Sequence, residues 1–246
     1  MAQPDEELLT VIVPCLNEEG TVGETVADIF SVADRLPLRV DILLIDDGST
    51  DGTRKRMEEI CHHQDRCRMR VNPRNLGLGR SVCDAYDDIE PTSWVTVVPG
   101  DNEFLFDSID AFLAAGGDYD VLLGYLRNPV IRPLRRRLAS QAFTSVANFL
   151  YGFHYRYLNG MKMYRAWAFQ GIDVRSGGHA FVAELLAKAI LRCPRLRIGE
   201  VPFAARGRAT GSSKAIRPSS ILRAVREVWV GKLSVNAYRK QVIAKQ

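Results

Sequence analysis

The 246-residue sequence has no long hydrophobic run and no N-terminal targeting signal. None of its apolar stretches approaches the roughly 18 consecutive residues that a membrane-spanning helix needs. The N-terminal segment MAQPDEELLT carries acids, whereas a secretory signal peptide carries bases followed by an apolar core. These absences predict a cytoplasmic protein that is either free or bound to the surface of a membrane.

Two common site motifs are also missing. The five cysteines are odd in number and show no Cys-x-x-Cys spacing, which argues against a disulfide framework and a zinc ribbon. The segment CHHQDRC (61–67) matches no usual zinc spacing. The first predicted strand is not followed by Gly-x-Gly-x-x-Gly, the motif that brings a backbone against a dinucleotide pyrophosphate. An enzyme that uses NAD or FAD is therefore not expected.

Each half of the chain is poor in charge of one sign. Residues 1–110 contain 23 acids and 10 bases (net −13), and residues 111–246 contain 6 acids and 23 bases (net +17). The asymmetry favours contact of the second half with an anion, such as a phosphate or a lipid surface, although oppositely charged halves can also pack together. The basic half lacks the interleaved aromatic residues of a nucleic-acid platform, so nucleic acid is not an expected partner.

Short apolar segments alternate with helical patterns in the first 125 residues. Segments with helical spacing, such as ETVADIFSVADRL, separate the predicted strands. The strands are LLTVIVP (8–14), VDILLID (40–46), CRMRV (67–71), WVTVV (94–98) and DVLLG (120–124). This alternation indicates an α/β fold with a mostly parallel sheet covered by helices on both faces. Ligands of such sheets bind at the carboxyl ends of the strands, so the loops there are the candidate site.

The pattern changes after about residue 125. A basic stretch, RNPVIRPLRRR (127–137), leads into the apolar helical run LASQAFTSVANFLYGF. The chain from residue 216 onward is helical in pattern and strongly basic. Between them the sequence predicts a strand at MKMYR (161–165), a helix over 179–192 and a strand at RIGEVPF (197–203).

The first two predicted strands end in polar residues. The first ends in PCLNEE (14–19), in which Asn17 is expected to cap the next helix, with acids in its first turn. The second ends in Asp46 and Asp47, after which Asp51 and Thr53 are expected to cap a helix. Asp47 is the better candidate for binding, because a carboxylate at a strand end can accept the ring N–H of uracil or guanine.

Two further loops reach the same edge of the predicted sheet. The segment NLGLGR (75–80) contains Gly77, which allows a ligand to approach the backbone closely. The fourth strand ends in PGDNE (99–103), which places the oxygen ligands that a divalent cation on a diphosphate needs. The alternative is that PGDNE forms only a tight turn.

Taken in order, VIVPCLNEE, LLIDDGSTDGT, NLGLGRSV and PGDNE resemble the motifs of glycosyltransferase family 2, which has the GT-A fold. YLNGMKMYRAWAF, HAFVAELLAKA and EVPFAARGRATGSSK are similar to its dolichyl-phosphate mannose synthases and other polyprenyl-phosphate glycosyltransferases. The resemblance covers about residues 9–215. It implies a GT-A domain over 1–215, with a donor-binding part over about 8–125 and an acceptor-side part over about 126–215, and a basic helical extension over 216–246.

The resemblance also implies roles for single residues. Asp101 would hold Mg²⁺ or Mn²⁺ with help from Glu103, and Arg208 would neutralise the departing diphosphate. Arg137 and Ser140 match the start of a basic helix near the acceptor. With the loops above, the residues expected to bind the nucleotide sugar are Pro14, Leu16, Asn17, Glu18, Asp46, Asp47, Gly77, Gly100, Arg127, Ser213 and Lys214.

The sequence departs from the family pattern at two positions. Pro99 replaces the first carboxylate of Asp-x-Asp, which leaves the metal to Asp101, Glu103 and the donor phosphates. Arg156 stands where relatives often carry an acid, so a catalytic base is absent there. An ionised lipid phosphate needs no base, whereas the hydroxyl of a small natural product does, and Glu184 and His179 are the candidates for that role.

The basic residues of the second half favour the lipid phosphate. The tail after Ala205 carries ten bases and one acid. Together with the apolar helical run, these charges resemble an interfacial anchor on an anionic membrane surface. The arginines that precede the run are Arg127, Arg132, Arg135, Arg136 and Arg137. A soluble small-molecule acceptor is the alternative.

Overall fold

A computed structural model describes residues 7–178, 180–206 and 218–244 of the chain. Its centre is a seven-stranded sheet with the order β3-β2-β1-β4-β6-β5-β7. The strands are β1 (Leu8–Cys15), β2 (Arg39–Asp46), β3 (Cys67–Val71), β4 (Trp94–Val97), β5 (Val121–Leu126), β6 (Lys162–Arg165) and β7 (Ile198–Phe203). Each of the seven predicted strands is present, within one or two residues of its predicted bounds.

The sheet is mostly parallel, as the sequence predicts. Strand β6 is the exception, because it lies antiparallel to both β4 and β5. Two antiparallel pairings in succession return β5 and β7 to the direction of β4. The carboxyl ends of β1, β2 and β4 therefore lie at one edge of the sheet, which we call the carboxyl edge.

Helices cover both faces of the sheet. They are α1 (Val22–Ala33), α2 (Thr53–His63), α3 (Leu78–Ala85), α4 (Ile109–Ala115), α5 (Leu134–Tyr151), α6 (Phe181–Arg192) and α7 (Pro218–Ile243). Because side chains alternate along a strand, Val11 and Val13 join the core under α1 and α4, while Ile12 joins the core under α3 and α6. This burial on both faces is why the strands read as continuous apolar runs.

Helix α7, the predicted extension, packs against the rest of the protein. Val228 and Val235 are buried. A Cβ on Gly231 would lie 2.7 Å from the Ser176 hydroxyl, so the helix approaches the 176 loop as closely as a backbone can. The predicted domain boundary at 215 and 216 lies outside the described residues. Within the described ranges, no helix is long and apolar enough to cross a membrane.

Candidate active site at the carboxyl edge

Backbone hydrogen bonds join the ends of β1, β2 and β4. The Asp47 N–H donates to the Cys15 carbonyl at 2.9 Å, and the Gly100 N–H donates to the Pro14 carbonyl at 3.1 Å. A Cβ on Gly100 would lie 2.5 Å from the Cys15 sulfur, so only glycine allows this approach. The loops that carry Asp47 and Asp101 are thereby held beside the Pro14 loop.

Asn17 connects two loops and does not cap a helix. Helix α1 begins at Val22, four residues beyond the expected position, so the predicted capping role is wrong. Asn17 has a φ of 59°, and its side-chain oxygen accepts the Thr50 N–H at 2.8 Å. Helix α2 begins at Thr53 with Gly52 at its N-cap, so neither Asp51 nor Thr53 caps it as expected. The Asp51 carboxylate instead accepts the Thr53 N–H at 3.0 Å and holds the turn before the helix.

Asp47 is buried and organises the loop that contains Gly77. Its Oδ1 accepts hydrogen bonds from the Leu76 N–H at 2.9 Å, from the Ser81 hydroxyl at 2.7 Å and from the Asn72 side chain at 3.0 Å. Its Oδ2 accepts the Gly77 N–H at 3.0 Å. A carboxylate oxygen can accept a second hydrogen bond, so Oδ2 keeps the capacity to bind a nucleobase N–H.

Four carboxylates surround the buried Cys15 thiol. Burial raises the pKa of Cys15, and the negative charges of Glu18, Asp46, Asp101 and Asp51 raise it further. Carboxylates gathered in one place favour cations. The carboxyl edge is therefore suited to a ligand that arrives with a positive counter-charge, such as a metal-bound diphosphate.

Asp101 fits a divalent cation better than Glu103 does. Glu103 is buried and its carboxylate pairs with Arg132 at 3.1 Å and with Arg136 at 2.7 Å. This pairing speaks against the predicted metal role of Glu103, because a cation there would have to displace two arginines. Among the described residues, no three His, Cys, Asp or Glu side chains converge as a metal cluster. Mg²⁺ is commonly held by one or two carboxylates together with substrate phosphates, and Asp101 fits that pattern.

The arginines of the 127–137 stretch do not share one environment. Arg132 is only 6% exposed and donates to the Tyr157 hydroxyl at 2.6 Å. The prediction that Arg132 belongs to a surface anchor is therefore wrong. Arg127 follows β5 at the carboxyl edge and is exposed. No sequence pattern indicates the interactions of Arg132 and Arg136 with Glu103, because the partners are about thirty positions apart.

The segment after β7 is paired with the loop after β4. Ala205 forms an antiparallel bridge with Phe104, and the Arg206 N–H donates to the Glu103 carbonyl at 2.8 Å. The Arg206 guanidinium donates to the Asn102 side chain at 2.7 Å and to Asp28 at 2.6 Å. The predicted site residues Arg208, Ser213 and Lys214, and the candidate base His179, lie outside the described residues.

Glu184 has a structural environment. It is fully buried, and its carboxylate accepts hydrogen bonds from Lys188 at 2.7 Å and from the Ser176 hydroxyl at 2.6 Å. Burial alone would raise its pKa, but these hydrogen bonds outweigh burial and hold the pKa of Glu184 below its usual value. Lys188 also donates to Ser234 of α7 at 2.8 Å. Glu184 thus anchors α7, which speaks against its predicted role as a catalytic base.

We expect Glu184→Gln to lower the free energy of unfolding by about 3 kcal/mol, since breaking a buried ion pair leaves Lys188 without its counter-charge. Urea denaturation at pH 7 measures this loss, with the exposed Glu90→Gln as the control. The pH dependence of turnover should keep its shape in the folded variant. If the variant lost one limb of the pH–rate profile but kept its stability, Glu184 would be a catalytic base after all.

The comparisons with known proteins agree with this geometry. The family model described as Glycosyl transferase family 2 matches residues 10–182. The dolichol-phosphate mannosyltransferase of Saccharomyces cerevisiae is 24% identical over 92% of this chain and 89% of its own length. The polyprenol monophosphomannose synthase of Mycolicibacterium smegmatis is 27% identical over 83% of this chain and 79% of its own.

A solved structure shares the fold at low sequence identity. It is the glucosyl-3-phosphoglycerate synthase of Mycobacterium tuberculosis in complex with Mn²⁺, UDP-glucose and phosphoglyceric acid, which superimposes with a TM-score of 0.67 at 14% identity. The match covers 93% of this chain and 80% of that one. The match supports the predicted fold class, and the family model covers most of the chain. The chain therefore belongs to glycosyl transferase family 2 and is a glycosyltransferase with the GT-A fold.

Proposed function

We propose that this enzyme transfers a sugar from a nucleoside-diphosphate sugar to the phosphate of a polyprenyl phosphate, with Mg²⁺ or Mn²⁺ on Asp101. The observation that carries the proposal is an exposed apolar stripe along α5, which begins among the arginines near Glu103. The stripe consists of Leu134, Leu138, Ala142, Val146 and Phe149. Phe149 is 87% exposed, and Val130, just ahead of the helix, is 80% exposed. A lipid surface would cover these apolar side chains without burying a charged group.

The residues near the start of α5 suit a phosphate at that surface. Arg136 is held by Glu103 at the carboxyl edge and is partly exposed, so it can reach an anion beside Asp101. Arg135 is exposed and suits contact with anionic headgroups. Both relatives named above are enzymes of lipid-linked mannose, which supports the same acceptor class.

In the proposed reaction an oxygen of the acceptor phosphate attacks the anomeric carbon of the donor sugar. The bond between that carbon and the diphosphate oxygen breaks, and the nucleoside diphosphate leaves with the bonding electrons. The acceptor phosphate is already ionised, so no base has to remove a proton, which agrees with the structural environment of Glu184. Arg127 would stabilise the charge that develops on the leaving diphosphate. A bound divalent cation would supply further stabilisation of that charge.

The donor side of the proposal depends on the Pro14, Asp47 and Gly77 loops. Asp47 would accept a ring N–H of the base at its Oδ2 atom, which favours uracil or guanine. Gly77 has a φ of 87°, a backbone conformation that favours glycine, and its N–H holds the loop against Asp47. Donors of the UDP and GDP series are therefore the ones to test first.

We expect the enzyme to bind liposomes that contain anionic lipid at low salt and to leave them at high salt, because salt screens the attraction of exposed bases. The double variant Leu138→Asp with Phe149→Asp should abolish binding and strongly lower transfer to polyprenyl phosphate. Flotation and a transfer assay with UDP- and GDP-hexoses measure the two effects. Lys55→Glu, an exposed charge change on α2, is the control.

Two outcomes would count against the lipid acceptor. One is a protein that ignores anionic liposomes. The other is a donor that binds but is never transferred to polyprenyl phosphate, while a soluble phosphorylated or hydroxylated small molecule accepts the sugar. The small-molecule acceptor, which the similarity to an enzyme crystallised with phosphoglyceric acid favours, would then replace the lipid.

A further inference from the structure

A narrow cavity lies beneath the carboxyl edge, next to the loop that carries Asp101. Its volume is about 90 Å³, and most of its lining is apolar. Pro99 and Phe104, which flank Asp101 in the sequence, both line it. The cavity therefore begins within the reach of a sugar whose diphosphate is bound at Asp101.

Few polar side chains line this cavity. Tyr86 and Tyr164 do, but their hydroxyls bind each other at 2.7 Å and need no ligand. Within the part of the chain that the structure describes, Asn159 and Lys162 are the other two polar lining residues. The mechanism proposed above uses neither of them.

Lys162 is the first residue of β6, beside β4. Its ammonium group donates to the Gly160 carbonyl at 2.6 Å, which uses one of its three N–H groups. Burial lowers the pKa of Lys162 to about 7. Both the ammonium and the neutral amine can donate a hydrogen bond to a hydroxyl oxygen, so such a ligand suits either state.

Asn159 presents the complementary group. Its side-chain oxygen is buried and accepts no hydrogen bond from the described residues. A buried acceptor without a donor is costly, and a hydroxyl ligand would supply the donor. One hydroxyl group can donate to the Asn159 oxygen while it accepts from Lys162.

We propose that Asn159 and Lys162 form a subsite for the exocyclic hydroxymethyl group of the transferred hexose. The cavity is narrow, with a volume of about 90 Å³, and its two polar side chains leave room for a single polar group between apolar walls. A hydroxymethyl arm fits, with its CH₂ group against Pro99 and Phe104 and its hydroxyl between the two polar side chains. The inference rests on the proposed nucleotide-sugar donor and deepens it: the enzyme would select hexoses over 6-deoxyhexoses.

The test is donor binding measured by calorimetry, which requires no acceptor. Wild-type protein with Mn²⁺ is titrated with UDP-glucose and UDP-6-deoxyglucose, and with GDP-mannose and GDP-rhamnose. We expect the hexose of the accepted pair to bind about 30-fold more tightly than its 6-deoxy analogue, as the loss of a hydrogen bond to a charged or buried partner implies. Lys162→Met and Asn159→Leu should each reduce this ratio to near one while leaving the affinity for UDP or GDP alone unchanged. Lys162→Arg should restore part of the ratio.

The outcomes separate this subsite from the proposed function. A wild-type protein that binds both members of a pair equally overturns the subsite and leaves the donor class standing. Variants that weaken hexose and 6-deoxyhexose by the same factor assign Lys162 a structural role and also overturn the subsite. A protein that binds no UDP- or GDP-sugar overturns both proposals. The wild-type comparison changes only the ligand, so it is independent of whether the variants fold.

Discussion

Replacing Asp101 with asparagine should lower the transfer rate at least about 1,000-fold. The change removes the charge at the position that fits the metal-bound diphosphate, and stabilisation of a developing phosphate charge is worth several kcal/mol. Because Glu103 is paired with Arg132 and Arg136, no neighbouring carboxylate in that loop is available to take over. Initial rates of transfer across a titration of Mn²⁺ measure the effect.

The control for this variant is Asp107→Asn. Asp107 lies in the same part of the chain, but its carboxylate is exposed and pairs with Arg35 at the surface. It should leave the rate within about twofold of wild type, because surface ion pairs contribute little. Near wild-type turnover of Asp101→Asn in excess Mn²⁺ would remove Asp101 from the metal site.

Asp47→Ala should lower the free energy of unfolding by about 3 kcal/mol, because several buried donors lose their common acceptor at once. These donors are the N–H groups of Leu76 and Gly77 and the side chains of Asn72 and Ser81. Urea denaturation monitored by circular dichroism measures the change.

The matched control is Asp87→Ala, which truncates an exposed aspartate. It should change stability by less than about 0.5 kcal/mol. If Asp47→Ala were as stable as this control, the hydrogen bonds of the Asp47 carboxylate would not hold the Gly77 loop, and the role of Asp47 would be limited to the ligand.

The positions of the strands along the chain could be predicted because a strand that is buried on both faces is a continuous run of apolar residues. Runs such as VDILLID are apolar throughout, and β2 indeed has helices over both of its faces. The direction of β6 cannot be inferred from its residues in this way. Its four residues carry the same kind of pattern as a parallel strand, and only their pairing with β4 and β5 makes the strand antiparallel.

The candidate site was predictable to the extent that it depends on strand ends. Pro14, Asp47 and Asp101 lie at the carboxyl ends of strands or in the loops that follow them, so the rule for parallel sheets brings them together. The partners of Glu103 and Glu184 depend on side chains from other elements. Arg132 and Arg136 follow β5 in the sequence, and Ser234 belongs to α7. The sequence motifs therefore suggest a metal ligand at Glu103 and a base at Glu184, where the fold forms ion pairs.

The bridge between Phe104 and Ala205 has a consequence for engineering. Arg206 contacts both Asn102 and Asp28 of α1. The segment that ends at Arg206 and the loop that carries Asp101 therefore form one structural unit, which we call the cassette. A graft of the 207–217 segment from a relative, made to change the donor, would place a foreign sequence on this native support. Such chimaeras should therefore exchange residues 101–106 together with 203–217 and keep an acid at position 28, so that the two halves of the cassette come from the same parent.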